Sequence, residues 1–178
     1  MKAFIRDILV TLLLAAILVF GMQATVQKFD VIGPSMDSTL RDGQQLLVNK
    51  VVYKFHQPER GDIIILIPPE NEDEEYIKRI IGLPGESVEI KDGAVLIHKQ
   101  DGSIMPLDEP YITSPTRRPF KGDVIPENEY FVLGDNRNNS SDSRLGWTVP
   151  RQNIIGKAWL SIWPPDKWGL TPNHSFQE

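Results

Sequence analysis

The chain has 178 residues, of which 40% are hydrophobic, with a formal net charge of −5 and no cysteine. This length accommodates one domain and an appendage. The negative charge argues against nucleic acid as a partner, because phosphate binding needs a concentrated basic surface. The lack of cysteine excludes thiol nucleophiles, disulfide bonds and cysteine-based zinc sites.

The first predicted element is an apolar segment at residues 8–26, ILVTLLLAAILVFGMQATV, which contains no charged residue. As a helix it spans roughly 28 Å at ~1.5 Å per residue, close to the thickness of the hydrocarbon core of a bilayer. A cleavable signal has a shorter apolar region and small residues at −3 and −1, whereas the best cut here, after Ala24, places Met22 at −3. We therefore predict an uncleaved transmembrane anchor, with a removed signal or a buried helix as alternatives.

The charges around this segment predict its orientation. Lys2 and Arg6 precede it, and Lys28 and Arg41 follow it. With the α-amino group added, the positive-inside rule favours a cytoplasmic N-terminus. We therefore expect a single-pass protein of the plasma membrane, with residues 1–7 in the cytoplasm and the rest outside it.

Residues 27–178 are predicted to form a mainly β domain, an antiparallel sheet or a barrel-like structure. Short β-branched runs alternate with turn signals such as Asp92-Gly93, which supplies the positive φ that a tight hairpin needs. Residues 99–128 are rich in proline, glycine and charge, and are predicted to form a surface excursion or a small subdomain. The predicted strands are 46–52, 63–67, 76–81, 87–90, 94–98, 130–133 and 154–162.

The segment IGPSMDSTL, shortly after the anchor, places Ser35 behind a Gly-Pro turn. A serine hydroxyl is a weak nucleophile and needs a neighbouring base. The three histidines, His56, His98 and His174, lie in a charged turn, at a strand end and in a polar tail, so none has the sequence context of a site. A lysine is the other candidate base, provided that its surroundings keep it neutral.

Lys78, in EEYIKRIIGLPGE, is the lysine best placed to be neutral. On a strand it points opposite to Arg79, so we expect Lys78 to lie among apolar groups and Arg79 to reach solvent. Moving its pKa from ~10.4 to ~8 costs about 3.3 kcal/mol at ~1.36 kcal/mol per unit, within what burial can impose. The alternative is a surface lysine paired with Glu74 or Glu75, and the residues alone do not separate the two.

A third segment, GDNRNNSSDSRLGW, brings Ser140, Asp142 and Arg144 to one side if its backbone is extended. It does not fit a calcium loop, because Arg137 and Gly146 occupy the third and twelfth positions and the sixth is not glycine. The alternative is a plain Asn/Asp turn with a surface pair between Asp142 and Arg144.

Four segments in order, GPSMDSTL, RGDIII, YIKRIIGLPGE and GDNRNNSSDSR, resemble the conserved boxes of bacterial type I signal peptidases, also called leader peptidases. The preceding apolar anchor and the sequence DEPY at 108–111 fit the same family. Each box alone is common, but four in this order behind one anchor are specific. The resemblance implies a membrane-bound serine endopeptidase of the Ser/Lys type, which removes signal peptides from exported preproteins after small residues at −1 and −3.

The resemblance also implies roles for individual residues. Ser35 is the nucleophile, Lys78 is the general base and later the general acid, and Ser140 orients the Lys78 amine through a hydrogen bond. The implied partners are signal-peptide-bearing preproteins and the lipid bilayer, with no cofactor and no metal ion. The supporting residues are Asp135, Asn136, Asp142 and Arg144, and the substrate-binding wall comprises Phe29, Val31, Met36, Leu40, Tyr76 and Ile77.

Two positions depart from the family pattern. Ser38 stands where the family often has proline, and we expect this to be tolerated because serine also favours turns. Gly33 stands where some members have a serine that donates to the oxyanion, which leaves backbone N–H groups, chiefly that of Ser35. The alternative functions are a catalytically inactive membrane-tethered β scaffold and a specialised leader peptidase of the same fold. A self-cleaving transcription regulator would need a DNA-binding domain in place of the anchor.

Overall fold

The computed structural model describes residues 2–176. An N-terminal helix, α1 (Lys2–Thr25), begins six residues before the predicted anchor and contains all of it except its last residue. Its segment Phe4–Gly21 has a mean hydropathy of 2.3, none of it is buried, and it is long and apolar enough to cross a membrane. Val26, the last residue predicted for the anchor, instead begins the first strand.

The rest of the described chain is β-rich, with one short helix, α2 (Val52–Phe55), and three 3-10 turns at Ser143–Leu145, Arg151–Asn153 and Pro165–Lys167. The strands are β1 (Val26–Asp30), β2 (Gln45–Asn49), β3 (Ile63–Leu66), β4 (Tyr76–Gly82), β5 (Ser87–Lys91), β6 (Ala94–His98), β7 (Ile104–Pro106), β8 (Phe120–Lys121), β9 (Glu129–Leu133), β10 (Val149–Pro150), β11 (Ile154–Trp163) and β12 (Gly169–Leu170).

These strands form two antiparallel sheets, which confirms the predicted fold class. The large, curled sheet has the order β1-β2-β11-β3-β4-β9-β10, and β12 also pairs with β11. The small sheet has the order β7-β6-β5-β8. Its two outer strands come from the Pro/Gly-rich segment 99–128.

Local sequence explains the central elements. Every residue of β3 is buried, because this strand lies between β11 and β4 with both of its faces covered. The β5–β6 hairpin turns at Asp92 and Gly93, with φ values of 52° and 84°. Aspartate and glycine adopt such values at low cost, which confirms the predicted hairpin.

One predicted strand, 46–52, is too long. The Asn49 side chain accepts hydrogen bonds from the N–H groups of Val51 and Val52, both at 3.0 Å, and so ends β2 and starts α2. Such local side-chain bonds compete with the hydrogen bonds of a sheet. Five strands were not predicted, and three of them have only two residues, too few to show an alternating pattern.

A core cluster lies directly beneath the turn that carries Ser35. Val31, Met36 and Leu40 are at most 1% exposed, and they pack with apolar residues of β2, β3 and β4. Burying a side chain of this size contributes about 1.5–3 kcal/mol. Because these three side chains flank Ser35 in sequence, the core holds the serine turn in place.

Candidate active site

Ser35 lies on a turn between β1 and β2. Gly33 enters this turn with a φ of 80°, and its N–H donates to Asp42 Oδ1 at 2.8 Å. Glycine adopts this left-handed conformation without steric cost. Ile32 is 84% exposed while Met36 is fully buried, so the turn leaves the core and returns to it around the serine.

Lys78 projects from β4 towards this turn and is only 3% exposed. Its Nζ donates to Ser35 Oγ at 3.0 Å and to the Ile77 carbonyl oxygen at 2.9 Å. No ion pair joins it to Glu74 or Glu75 in the described chain, so the surface-lysine alternative is wrong. The structure therefore brings the two predicted residues into hydrogen-bond contact.

Burial lowers the pKa of Lys78 from 10.5 to about 8, since the ammonium loses its hydration. The carboxylates of Asp142 and Asp135 oppose this shift. Their effect is limited because each carboxylate is engaged elsewhere, Asp142 by Arg144 and Asp135 by Arg79. The amine therefore lies near carboxylates without forming an ion pair with one.

Arg79 does not reach solvent, and that prediction is wrong. Its side chain is fully buried and donates to both Asp135 oxygens, at 2.9 and 2.7 Å, and to the Gly61 carbonyl oxygen at 2.8 Å. The guanidinium also stacks 4.0 Å from the centre of the Tyr111 ring. Lys78 and Arg79 do point to opposite faces of β4, as predicted. The face that carries Arg79, however, packs against other segments of the chain and does not meet water.

The loop that follows β9 packs directly against the serine turn. The Asn136 N–H donates to the Ser35 carbonyl oxygen and its side-chain amide to that of Pro34, each at 3.0 Å. A Cβ atom at Gly134 would overlap the Ser35 carbonyl oxygen and Ser140 Oγ. Glycine at this position is therefore what lets the two loops approach each other.

Ser140 lies in this loop, but the predicted hydrogen bond to Lys78 is not present. Its Oγ is buried and has no hydrogen-bond partner among the described residues. Asp142 accepts from the Gly134 N–H at 3.1 Å and from Arg144 at 2.7 and 2.8 Å. It also caps the 3-10 turn Ser143–Leu145, so the predicted extended backbone through Arg144 is wrong.

A groove of about 1110 Å³ runs along this site, and Ser35 and Lys78 both line it. Of the six predicted wall residues, three line the groove, namely Phe29, Tyr76 and Ile77. The other three are buried in the core behind it and do not line it, which corrects the prediction for Val31, Met36 and Leu40.

Two exposed apolar residues of the groove were missed. Ile32 and Leu145 are 84% and 63% exposed and lie on its rim. Neither belongs to a periodic apolar pattern, so only their position next to the Gly-Pro turn and to the Ser140 loop could have indicated them.

None of the three histidines is among the described residues that line the groove. His98 pairs with Glu89 at 2.8 Å on the small sheet. His174 packs edge-on against Tyr111, with ring centres 5.4 Å apart. His56 is exposed after α2.

The two departures from the family pattern have structural counterparts. Ser38 has a φ of 85°, and its Oγ donates to the Tyr111 carbonyl oxygen at 3.0 Å. A proline ring fixes φ near −65°, so proline could not adopt this backbone. Gly33 has no side chain that could donate to an oxyanion. The Ser35 N–H has no acceptor among residues 2–176, which leaves this donor available to a ligand.

A buried amine with a lowered pKa, in contact with a serine hydroxyl on the floor of a groove, can remove the proton of that hydroxyl. This is the arrangement that a serine hydrolase with a lysine base requires. The fold and the site thus define a β-sheet protein with the geometry of such a hydrolase.

Comparison with known proteins identifies the family. The family described as "Signal peptidase, peptidase S26" matches residues 2–163. A signal peptidase I from Leptolyngbya laminosa is 42% identical, over 93% of this chain and 84% of the relative. A probable signal peptidase I-1 from a Synechocystis strain is 38% identical, over 97% and 90% of the two chains.

Signal peptidase IB from Staphylococcus aureus strain COL is 34% identical, over 92% of each chain. The crystal structure of a signal peptidase I from Enterococcus faecalis V583 superposes with a TM-score of 0.50 and 33% identity, covering 57% of this chain and 97% of that one. The chain belongs to the peptidase S26 signal peptidase family and is a peptidase.

Proposed function

We propose that this protein is a membrane-anchored serine endopeptidase that cleaves N-terminal signal peptides from exported preproteins after small residues at −1 and −3. The observation that carries the proposal is the 3.0 Å contact between Lys78 Nζ and Ser35 Oγ on the floor of the groove. The relatives named signal peptidase I support the choice of substrate.

In the proposed reaction, the neutral Lys78 amine accepts the hydroxyl proton as Ser35 Oγ attacks the scissile carbonyl carbon. The Ser35 N–H donates to the resulting oxyanion. The Lys78 ammonium then protonates the leaving amine, which becomes the N-terminus of the mature protein. Lys78 next removes a proton from a water molecule that attacks the ester carbonyl carbon of the acyl-enzyme, and it returns this proton to Ser35 Oγ as the ester bond breaks.

The neighbouring loop orients this pair. Ser140 Oγ lies next to Gly134 and has no hydrogen-bond partner in the described chain, so in this proposal its hydroxyl binds the Lys78 amine when that amine turns towards the substrate. Asp142 and Arg144 hold the loop through their paired side chains. The remaining supporting residues, Asp135 and Asn136, bond to Arg79 and to the serine turn.

The substrate lies in the groove as an extended strand, with its backbone providing affinity and its side chains providing specificity. Small side chains at −1 and −3 contact the apolar wall of Phe29, Tyr76 and Ile77. Val31, Met36 and Leu40 support the serine turn from behind, and so act on the substrate indirectly.

The anchor gives the peptidase access to its substrate. In this proposal residues 1–7 are cytoplasmic, residues 8–26 cross the plasma membrane once, and residues 27–178 form the extracytoplasmic peptidase domain, with 99–128 as a small subdomain. A signal peptide also lies in the bilayer, so tethering both molecules there raises their effective concentration. A specialised leader peptidase would differ only in its preproteins, and an inactive scaffold would have no use for a buried amine held against a serine.

Cleavage-site mapping tests the proposed function. The full chain in detergent is incubated with a preprotein that has alanine at −1 and −3, and the products are identified by mass spectrometry. We expect one cut, directly after the alanine at −1. The matched preprotein with phenylalanine at −1 is expected to stay intact, because the proposed specificity is for small side chains at −1 and −3. Cutting at other bonds, or equal cutting of both substrates, would contradict the proposal.

The pH dependence of kcat/KM should report the ionisation of the Lys78 amine. Because only neutral Lys78 accepts a proton, kcat/KM is expected to rise with pH through about 8, the pKa lowered by burial. Below this value it should fall about tenfold per pH unit, since kcat/KM follows the ionisation of the free enzyme. The measurement is the initial rate of peptide cleavage between pH 6 and 10, with circular dichroism as the control for folding. A midpoint near the ordinary pKa of histidine, ~6.5, would contradict the assignment.

A further inference from the structure

A second cavity of about 400 Å³ adjoins the groove. Asn138, Ser140 and Leu145 line both, so the two cavities are neighbours that share one part of their walls. The apolar wall at Phe29 and Tyr76 lines the groove but not this second cavity. The second cavity therefore borders the groove at Asn138, Ser140 and Leu145.

The lining of this cavity is strongly basic. Four arginines and a single carboxylate, that of Asp142, contribute to it. Asp142 is engaged by Arg144, and Arg137 is buried in a pair with Glu109. The other two arginines are Arg117 and Arg118.

Arg117 and Arg118 are exposed, and no ion pair neutralises them among residues 2–176. The whole chain carries a net charge of −5, whereas these two adjacent unpaired arginines make this part of the surface positive. A cavity lined by one sign of charge concentrates ligands of the opposite sign.

The backbone that carries these arginines is fixed to the active-site loop. The Arg117 N–H donates to Asn138 Oδ1, and Asn138 Nδ2 donates to the Pro115 carbonyl oxygen, each at 3.0 Å. Thr116, which lies between Pro115 and Arg117 in the sequence, is only 6% exposed. The two guanidinium groups therefore project from an ordered segment next to Ser140, so binding them costs little backbone entropy.

The groove itself carries acidic side chains along its Tyr76 wall. Asp73, Glu74 and Glu75 are exposed and line the groove beside Tyr76. A peptide that occupies both the groove and the second cavity therefore meets the three carboxylates in the groove and the unpaired guanidinium groups of Arg117 and Arg118 in the second cavity. This difference in charge between the two cavities gives a substrate that occupies both a preferred charge pattern along its length.

We propose that Arg117 and Arg118 form a subsite for an acidic side chain in the first few residues of the mature protein, after the scissile bond. The inference rests on the proposed function, which places the −1 and −3 side chains against Phe29, Tyr76 and Ile77. In this proposal the chain after the scissile bond passes the shared wall at Asn138, Ser140 and Leu145 and enters the basic cavity. Aspartate or glutamate there is attracted by the guanidinium groups, and lysine is repelled.

The test uses preproteins that differ only in the mature sequence, with Glu, Gln or Lys placed in turn at each position from +2 to +5. At the position that reaches the cavity, kcat/KM for Glu is expected to exceed that for Lys by about tenfold at low salt, with Gln between them. The ratio should fall towards one as the ionic strength rises, because exposed charges are screened.

Variants locate the effect. Arg117→Gln/Arg118→Gln is expected to bring the Glu-to-Lys ratio close to one, and Arg118→Glu is expected to reverse it. The matched control, Lys91→Gln/Lys121→Gln, removes two exposed charges that do not line the cavity and should keep the wild-type ratio.

The same assays separate the loss of the Arg117–Arg118 subsite from the loss of signal-peptide cleavage. An unchanged ratio in Arg117→Gln/Arg118→Gln, or an equal loss of the ratio in the control variant, would overturn the subsite while signal-peptide cleavage stands. If the wild-type protein cuts none of these preproteins, the proposed function itself fails.

Discussion

Exchange of Lys78 for arginine is expected to lower kcat/KM for a preprotein by about 10⁴-fold or more. A guanidinium stays protonated at every accessible pH, so it cannot accept the proton of the Ser35 hydroxyl even though it keeps a cationic side chain at this position. The measurement is the single-turnover cleavage rate of the full chain in detergent, with thermal unfolding followed in parallel.

Two further variants separate loss of the base from loss of the fold. Lys78→Met keeps the length of the side chain without an ionisable group, so it should be as inactive as Lys78→Arg and at least as stable as the wild type. Ser35→Ala should be equally inactive, and the double variant should lose no more than either single one, because residues that act as a unit are not additive. Activity of Lys78→Arg within about tenfold of the wild type would exclude Lys78 as the base.

Replacement of Asp135 by alanine is expected to lower the free energy of unfolding by about 3–5 kcal/mol. Neither side chain of the Arg79–Asp135 pair has any exposed surface, so removing the carboxylate leaves a guanidinium buried without its counter-charge. Urea unfolding of the full chain in detergent measures this loss.

The matched control for this variant is Asp30→Ala. Asp30 pairs with Lys28 at 3.3 Å, but both side chains are more than half exposed, so its loss should cost at most ~1 kcal/mol. Arg79→Met/Asp135→Leu, which removes both charges, should recover much of the stability lost in Asp135→Ala. Equal costs for Asp135→Ala and Asp30→Ala would contradict the structural role assigned to the buried pair.

The sequence predicted the direction of Lys78 but not the surroundings of its neighbour. Alternation along β4 correctly places Lys78 and Arg79 on opposite faces. Whether a face meets water depends on what packs against it, and here the Gly61 turn and Tyr111, distant in sequence, cover Arg79. The residue pattern of one strand does not show which distant segments pack against its faces.

The substrate wall illustrates the same limit. Phe29, Tyr76 and Ile77 lie on the groove, whereas Met36 and Leu40, next to the serine in sequence, turn inward to hold it. An apolar residue near a nucleophile fits either role, and only the three-dimensional path of the turn separates them. The fold class was easier to predict because each long strand has its own run of β-branched residues and its own turn signal.

The junction between α1 and β1 restricts where the peptidase can act. Thr25 ends the helix and Val26 begins the strand, and the Lys50 N–H donates to the Thr25 carbonyl oxygen at 2.9 Å, so no flexible linker separates them. Ten residues from Thr25 to Ser35, even fully stretched, reach roughly 35 Å. With α1 in the bilayer, the serine can therefore lie no more than roughly 35 Å from the end of the helix. The ordered junction thus keeps the serine tethered close to the bilayer, where the proposed cleavage site of a signal peptide also lies.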